Sequence, residues 1–174
     1  MCRLLRPGLL AGAVWQIDLD DLQRRGIRGL ILDLDNTLVD WNDTWVRPQV
    51  RAWLEEARER GLGLCLASNS IRGGRVERMA AELGMAGVPR AGKPLPRAFR
   101  RAMAVLGTDA ASTCAIGDQV FTDMLGANWL GILTILVVPL HWRESPHTRL
   151  MRRLEEPLRR RWAREAARAG SGGR

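Results

Sequence analysis

The chain has 174 residues, 46% of them hydrophobic, and a formal net charge of +8 at pH 7. That length suits one domain around a single core, and no apolar run reaches the roughly 20 residues needed to span a bilayer. Cys2 to Trp15 holds two arginines and a short apolar stretch interrupted by Pro7 and Gly8, with no small-residue cleavage site before Asp18. No secretory signal is read there, and a cytoplasmic protein, soluble or peripheral at the inner membrane surface, is expected.

The charge is uneven. Arg149 to Arg174 carries nine arginines against Glu155, Glu156 and Glu165, or +6, leaving +2 for the rest. A basic extension on a near-neutral domain implies either an anionic partner, membrane or nucleic acid, or a solvated tail. Of the 27 basic residues only Lys93 is a lysine. A site that needs a compact point charge is one place arginine does not substitute. The three cysteines, Cys2, Cys65 and Cys114, have no CxxC spacing. Cys65 and Cys114 lie in apolar runs and read as small buried hydrophobes.

In chain order, Trp15 to Arg25 has helical spacing and stops at Gly26. A first strand is predicted over Gly29 to Leu34, ending in Asp33-Leu34-Asp35-Asn36-Thr37. A loop with Trp41, Asn42, Asp43 and Trp45 leads to Pro48, which opens a helix with apolar face Val50, Trp53, Leu54 and Ala57. A second strand over Leu62 to Ala67 ends in Ser68-Asn69-Ser70. A helix over Arg75 to Leu83 follows, then a short strand near Gly87 to Ala91 that leads into Gly92-Lys93-Pro94. Pro96 opens a helix through Leu106. A fourth strand over Ser112 to Ile116 ends in Gly117-Asp118-Gln119, Phe121 to Trp129 is helical, and Gly131 to Val138 is a fifth strand. Leu150, Leu154, Leu158, Trp162 and Ala166 recur every four residues among arginines, an amphipathic pattern suited to an anionic membrane or to packing on the domain. Pro157 is expected to break that helix, and Gly170 to Arg174 to be disordered. The domain boundaries predicted are a core over 1–148 and a basic tail over 149–174.

Strands apolar on both faces and alternating with helices predict a doubly wound, Rossmann-like α/β domain with a five-stranded parallel sheet covered on both sides. The polar residues fall at the carboxyl ends of successive strands: Asp33 and Asp35, Ser68 and Asn69, Lys93, then Asp118 and Asp123. In a parallel sheet those ends share one edge, where ligands bind. Burying an unpaired carboxylate is costly, so two aspartates ending an apolar strand point to a cation. Acids, a hydroxyl and a lysine together suit phosphoryl transfer.

These residues carry a resemblance. The segments Asp33-Leu34-Asp35-Asn36-Thr37, Ser68 after an apolar strand, Lys93 before Pro94, and Gly117-Asp118-Gln119-Val120-Phe121-Thr122-Asp123 match, in order, the four motifs of the haloacid dehalogenase (HAD) superfamily of phosphatases. The resemblance implies Asp33 as nucleophile and Mg²⁺ ligand. It implies Asp35 as general acid/base with its backbone carbonyl on the metal, Ser68 and Lys93 as phosphate-binding groups with Asn69 beside them, and Asp118 as the remaining metal ligand. Asp123 and Thr37 would support the site. Too little chain separates Asp35 from Ser68, or Ser68 from Lys93, to hold a cap domain, so a capless core is expected. The approach through Ile17-Asp18-Leu19-Asp20 and Gly26 to Asp33 is similar to the subclass IIIA branch, which includes phosphatidylglycerophosphate phosphatases. The function expected is Mg²⁺-dependent phosphomonoester hydrolysis through an aspartyl-phosphate, on phosphatidylglycerophosphate or on a soluble sugar, nucleotide or protein phosphate. A signalling receiver domain is disfavoured by motif order. A basic anion- or nucleic-acid-binding module rests on the tail alone. Trp41, Trp45 and Trp129 are read as packing residues.

Overall fold

The computed structural model describes residues 3–70, 74–141 and 146–171. They belong to two compact units, Met1–Trp142 and Arg143–Arg174.

The first unit is built on six strands, β1 (Leu9–Ala11), β2 (Gly29–Leu32), β3 (Gly63–Ala67), β4 (Ala86–Val88), β5 (Thr113–Gly117) and β6 (Leu133–Val137). They form one parallel sheet in the order β1-β6-β5-β2-β3-β4. Five strands are those predicted. The sixth, β1, was not read, because three residues between Gly8 and Gly12 are too few to display alternation; its place comes from pairing, Leu9 opposite Ile135 and Ala11 opposite Val137. The helices are α1 (Leu19–Arg24), α2 (Pro48–Glu59), α3 (Arg75–Glu82), α4 (Pro96–Leu106) and α5 (Leu125–Trp129).

Side-chain alternation along the strands divides the core in two. Leu30, Leu32, Leu64, Leu66, Cys114, Ile116, Ile135 and Val137 face one way, against Leu22 of α1, Trp53 and Leu54 of α2, and Val76 and Met79 of α3. Ile31, Cys65, Ala67 and Ala115 face the other, against Ala98, Phe99 and Ala102 of α4 and Ala127 of α5. Local signals set the helix ends. The Asp18 carboxylate accepts the N–H groups of Asp20 and Asp21 to cap α1, and Pro48 and Pro96 occupy first turns, where no amide partner is missed.

Two departures shape the site. The strand expected near Gly87 to Ala91 ends at Val88, and the chain turns so that the Ala91 N–H donates to the Ser68 carbonyl at 2.9 Å. The segment predicted as one helix over Phe121 to Trp129 begins as a π turn, Val120–Met124, before continuing as α5. Both amides of Asp123 and Met124 donate back to the Gln119 carbonyl, a wide turn of the kind found at functional sites.

Among the described residues the second unit is a single helix, α6 (Pro146–Ser171), of 26 residues with Pro157 inside it. The break expected at Pro157 does not occur. A proline removes one i→i−4 bond, and here an i,i+4 pair between Glu156 and Arg160 at 2.6 Å brackets it while the helix continues. Leu150 and Leu154 are exposed on this helix. Gly170 and Ser171 fall within α6, and 172–174 lie outside the described residues. Among the described residues no helix is long and apolar enough to cross a membrane.

Candidate active site

Because all six strands are parallel, Asp33, Ser68 and Asp118, each immediately following β2, β3 or β5, leave the sheet on the same edge. The β2–β5 ladder extends one step past the strand, the Asp33 N–H donating to the Ile116 carbonyl at 3.0 Å, which fixes the backbone of the first aspartate. Beyond it the chain folds into a tight turn. Asn36 takes a left-handed conformation at φ 61°, its N–H donates to Val39 O at 2.7 Å, and Thr37 is buried in the same turn.

Lys93 is the centre of the site. Its ammonium donates to Asp33 Oδ1 and to Asp123 Oδ1, both at 2.6 Å, with all three side chains almost wholly buried. One carboxylate oxygen from each of Asp33, Asp118 and Asp123 lies within 4.8 Å of the others. Asp123, expected as a supporting residue, thus brings its carboxylate into the acidic cluster itself. It enters because position 117 is glycine: a Cβ there would stand 2.3 Å from Asp123 Cγ. The Gln119 N–H holds its other oxygen at 3.1 Å. Gly126 does similar service for the lysine, since a Cβ there would meet the Pro94 carbonyl at 2.2 Å; its absence lets α5 close on the turn that carries Lys93.

Asn69 fastens that turn from the other side. Its side-chain oxygen accepts the N–H groups of Gly92 (3.0 Å) and Lys93 (2.8 Å), and its amide donates to the Lys93 carbonyl at 2.8 Å. The side chain read as phosphate-binding is therefore engaged with backbone, and what it orients is the lysine. Ser68 is buried beside it, its hydroxyl accepting the Ser70 N–H at 3.1 Å.

Asp35 is not in the acidic cluster. One oxygen accepts the Asn42 N–H at 2.8 Å, and the other pairs with the Arg75 guanidinium at 3.0 Å. Arg75 is buried in the first turn of α3 and also donates to the Asp43 carbonyl. One arginine among 26 carried no sequence signal. The two aspartates of the first motif, two residues apart, therefore face different partners.

Trp41, Trp45 and Trp129, expected to pack, stand at the surface. Trp41 is 36% exposed, Trp45 58% and Trp129 65%. The loop 40–47 is anchored instead through backbone, by the Asn42 and Asp43 contacts above and by a bridge between Val39 and Val46, so its indole rings are left at the surface.

Electrostatically the site is unbalanced. Three aspartates against one lysine leave two negative charges in a buried space when all four are ionised. Burial raises the Asp33 pKa well above the usual carboxylate range; Lys93 opposes this, and the charges of Asp123 and Asp118 reinforce it. Burial alone would lower the Lys93 pKa, but Asp123 and Asp33 more than reverse it, so the ammonium is held charged. A cluster of hard carboxylate oxygens with a −2 excess fits a divalent cation that prefers oxygen donors.

Comparison with known proteins agrees with this geometry. Residues 90–138, which hold Lys93, Asp118 and Asp123, match the HAD-hydrolase-like family. A Bacillus subtilis protein named as the probable phosphatase YqeG is 37% identical over 145 residues, covering 83% of this chain and 84% of that one. A phosphatidylglycerophosphate phosphatase 1 of Arabidopsis thaliana is 29% identical over 158 residues, covering 86% of this chain but 45% of the relative. A crystal structure of an uncharacterized protein from Listeria monocytogenes shares the fold, with TM-score 0.57 and 19% identity, over 69% of this chain and 85% of that one. With relatedness extending over most of its length and the four motifs gathered on one sheet edge, the chain belongs to the haloacid dehalogenase superfamily and is a phosphatase.

Proposed function

We propose that this phosphatase hydrolyses phosphomonoesters through an aspartyl-phosphate on Asp33, with Mg²⁺ as its cofactor and phosphatidylglycerophosphate as its substrate. The observation that carries the chemistry is the buried Lys93 ammonium bridging Asp33 and Asp123 within reach of Asp118. Asp33, Asp118 and the backbone carbonyl of Asp35 would hold the cation, with Asp123 beside them; when bound, it offsets phosphoryl charge and keeps Asp33 ionised.

In this reading a carboxylate oxygen of Asp33 attacks phosphorus as the ester P–O bond breaks, and Asp35 donates a proton to the departing alkoxide. Asp35 then takes a proton from water. The resulting hydroxide attacks the aspartyl-phosphate, giving inorganic phosphate and restoring the Asp33 carboxylate. Lys93, fixed by Asn69, and Ser68 with neighbouring N–H groups hold the phosphoryl oxygens. Asp123 orients Lys93, and the turn containing Thr37 supports Asp33.

The lipid substrate is supported by the Arabidopsis relative's name and by the absence, among the described residues, of any domain inserted between β2 and the Lys93 turn. An uncapped mouth accepts a headgroup still attached to a membrane. The basic helix α6, with its exposed Leu150 and Leu154, would add a peripheral contact with anionic lipid at the cytoplasmic face. The test is phosphate release with Mg²⁺ and with EDTA, on phosphatidylglycerophosphate in mixed micelles and on a panel of soluble phosphate esters. The expected result is metal-dependent turnover favouring the lipid, abolished in a folded Asp33→Asn variant. Preference for a soluble ester would discard the lipid and keep the chemistry, and an active Asp33→Asn would overturn the assignment of the nucleophile.

A further inference from the structure

The exposed residues on the two segments that adjoin the site are unlike an ordinary solvated surface. Trp41 and Trp45 stand exposed on the loop 40–47, and Leu95, 49% exposed, follows Lys93 by two residues. The tryptophan loop is tied to the reaction centre itself: Asn42, next to Trp41, donates its N–H to Asp35 at 2.8 Å, and Asp43 accepts from Arg75. Arg47 lies over the Trp45 ring at 5.8 Å. Arg90, before the Lys93 turn, and Arg97, in the first turn of α4, are exposed, the Arg97 guanidinium lying against Gly92, one residue from Lys93.

Whatever covers this rim must not shut out the substrate. A second copy or a protein lid seated on Trp41, Trp45 and Leu95 would close the mouth. A surface that itself carries the phosphomonoester would not. The side-chain types agree: indoles favour the headgroup layer of a bilayer, where ring and N–H meet different surroundings, and arginines pair with lipid phosphate.

We propose that this rim is a membrane-docking surface, in which Trp41, Trp45 and Leu95 enter the interfacial layer of an anionic phospholipid bilayer while Arg90 and Arg97 meet its phosphates, placing the site over a headgroup phosphomonoester. The inference rests on the lipid-substrate reading above.

It is tested with the full chain on vesicles of phosphatidylglycerol and phosphatidylcholine whose acyl chains are brominated near the headgroup, which quench inserted tryptophan. The wild type is expected to bind and be quenched. A Trp41→Phe, Trp45→Phe variant, which keeps the rings' apolar bulk, should lose more than half of that quenching. A Trp41→Ser, Trp45→Ser variant should bind vesicles and turn over vesicle-borne phosphatidylglycerophosphate at least 10-fold more weakly, with soluble p-nitrophenyl phosphate turnover within 2-fold of wild type. No quenching of the wild type, or full quenching of the phenylalanine variant, overturns the docking surface, and neither needs a destabilising substitution. Serine variants that match wild type on vesicles overturn it too, and leave the lipid substrate standing. Quenching that depends on Trp41 and Trp45, in a protein that hydrolyses only soluble esters, sustains the docking surface and removes the lipid substrate instead.

Discussion

Replacing Lys93 with methionine asks how much of this fold depends on one buried cation. Methionine retains most of the apolar stem, so the change chiefly removes charge. Each 2.6 Å contact, to Asp33 and to Asp123, is worth about 6 kcal/mol of gross attraction at an effective dielectric near 20. Stripping water from an ammonium and two carboxylates costs several kcal/mol per ion, which consumes most of that. What remains when one partner of a buried pair is deleted is typically a loss of about 3–5 kcal/mol, because the other partner is left uncompensated. Here three aspartates are left facing one another within 4.8 Å, so the upper part of that range is expected in EDTA at pH 8, read from urea unfolding.

The pH dependence has a definite sign. Asp33 has a folded pKa already raised by burial despite Lys93. A raised carboxyl contributes its stability below the unfolded value, near 4, and loses it as pH climbs through the folded value. Taking Lys93 away removes the charge that opposes this shift and raises Asp33 further, so the deficit of the variant should shrink as pH falls from 8 towards 5. Phosphate turnover should drop by roughly 100-fold or more, as when an electrostatic stabiliser of a transition state is lost. A deficit under about 1 kcal/mol, or one that grows on acidification, would refute the idea that Lys93 is what permits these acids to be buried together.

Gly117→Ala forces Asp123 away from a position 2.3 Å from the new Cβ, so it should cost about 1–3 kcal/mol and weaken turnover together with stability, measured by thermal melting and by phosphate release across a titration of the proposed Mg²⁺ cofactor; unchanged turnover would show that the Asp123 carboxylate has no part in the site. Burial pushes the Cys65 thiol up to about 11 and raises Cys114 as well. In a Cys2→Ser background neither should react with a thiol reagent at pH 8 until the protein unfolds, and labelling should follow the urea transition; reaction in the native state would place one of them at an open surface.

Much of the first unit was legible in the sequence because its signals are local and repeated. Gly29 to Leu34 and Leu62 to Ala67 are apolar on both faces, as strands covered on both sides must be, and Pro48 and Pro96 mark helix starts by what they lack. The gathering of Asp33, Ser68, Lys93 and Asp118 followed from parallel topology alone. What escaped depends on contacts distant in sequence. Leu9–Ala11 is a strand only because β6 is there to receive it. Arg75 looks like any other arginine until the fold sets it beside Asp35, 40 positions away in sequence. The parts played by Gly117 and Gly126 consist of atoms that are missing, which a sequence pattern does not display. Pro157 shows a local rule overridden, and the tryptophans show that large aromatic rings near a site need not be core when backbone bonds fix their loop.

The pairing of β1 with β6 has a consequence for how the molecule is made. Leu9 and its partner Ile135 are 126 residues apart in the chain, so the nascent strand has nothing to pair with until the whole intervening segment has been made. The ladders β2–β3 and β3–β4, on the far side of the sheet, join segments far closer in sequence and can assemble while the rest of the chain is still being synthesised. One half of the sheet can thus fold as it emerges, and the other closes only after β6 is released. That last closure carries the largest loop entropy in the domain, and until it happens the flank of β6 is an open edge inviting another chain.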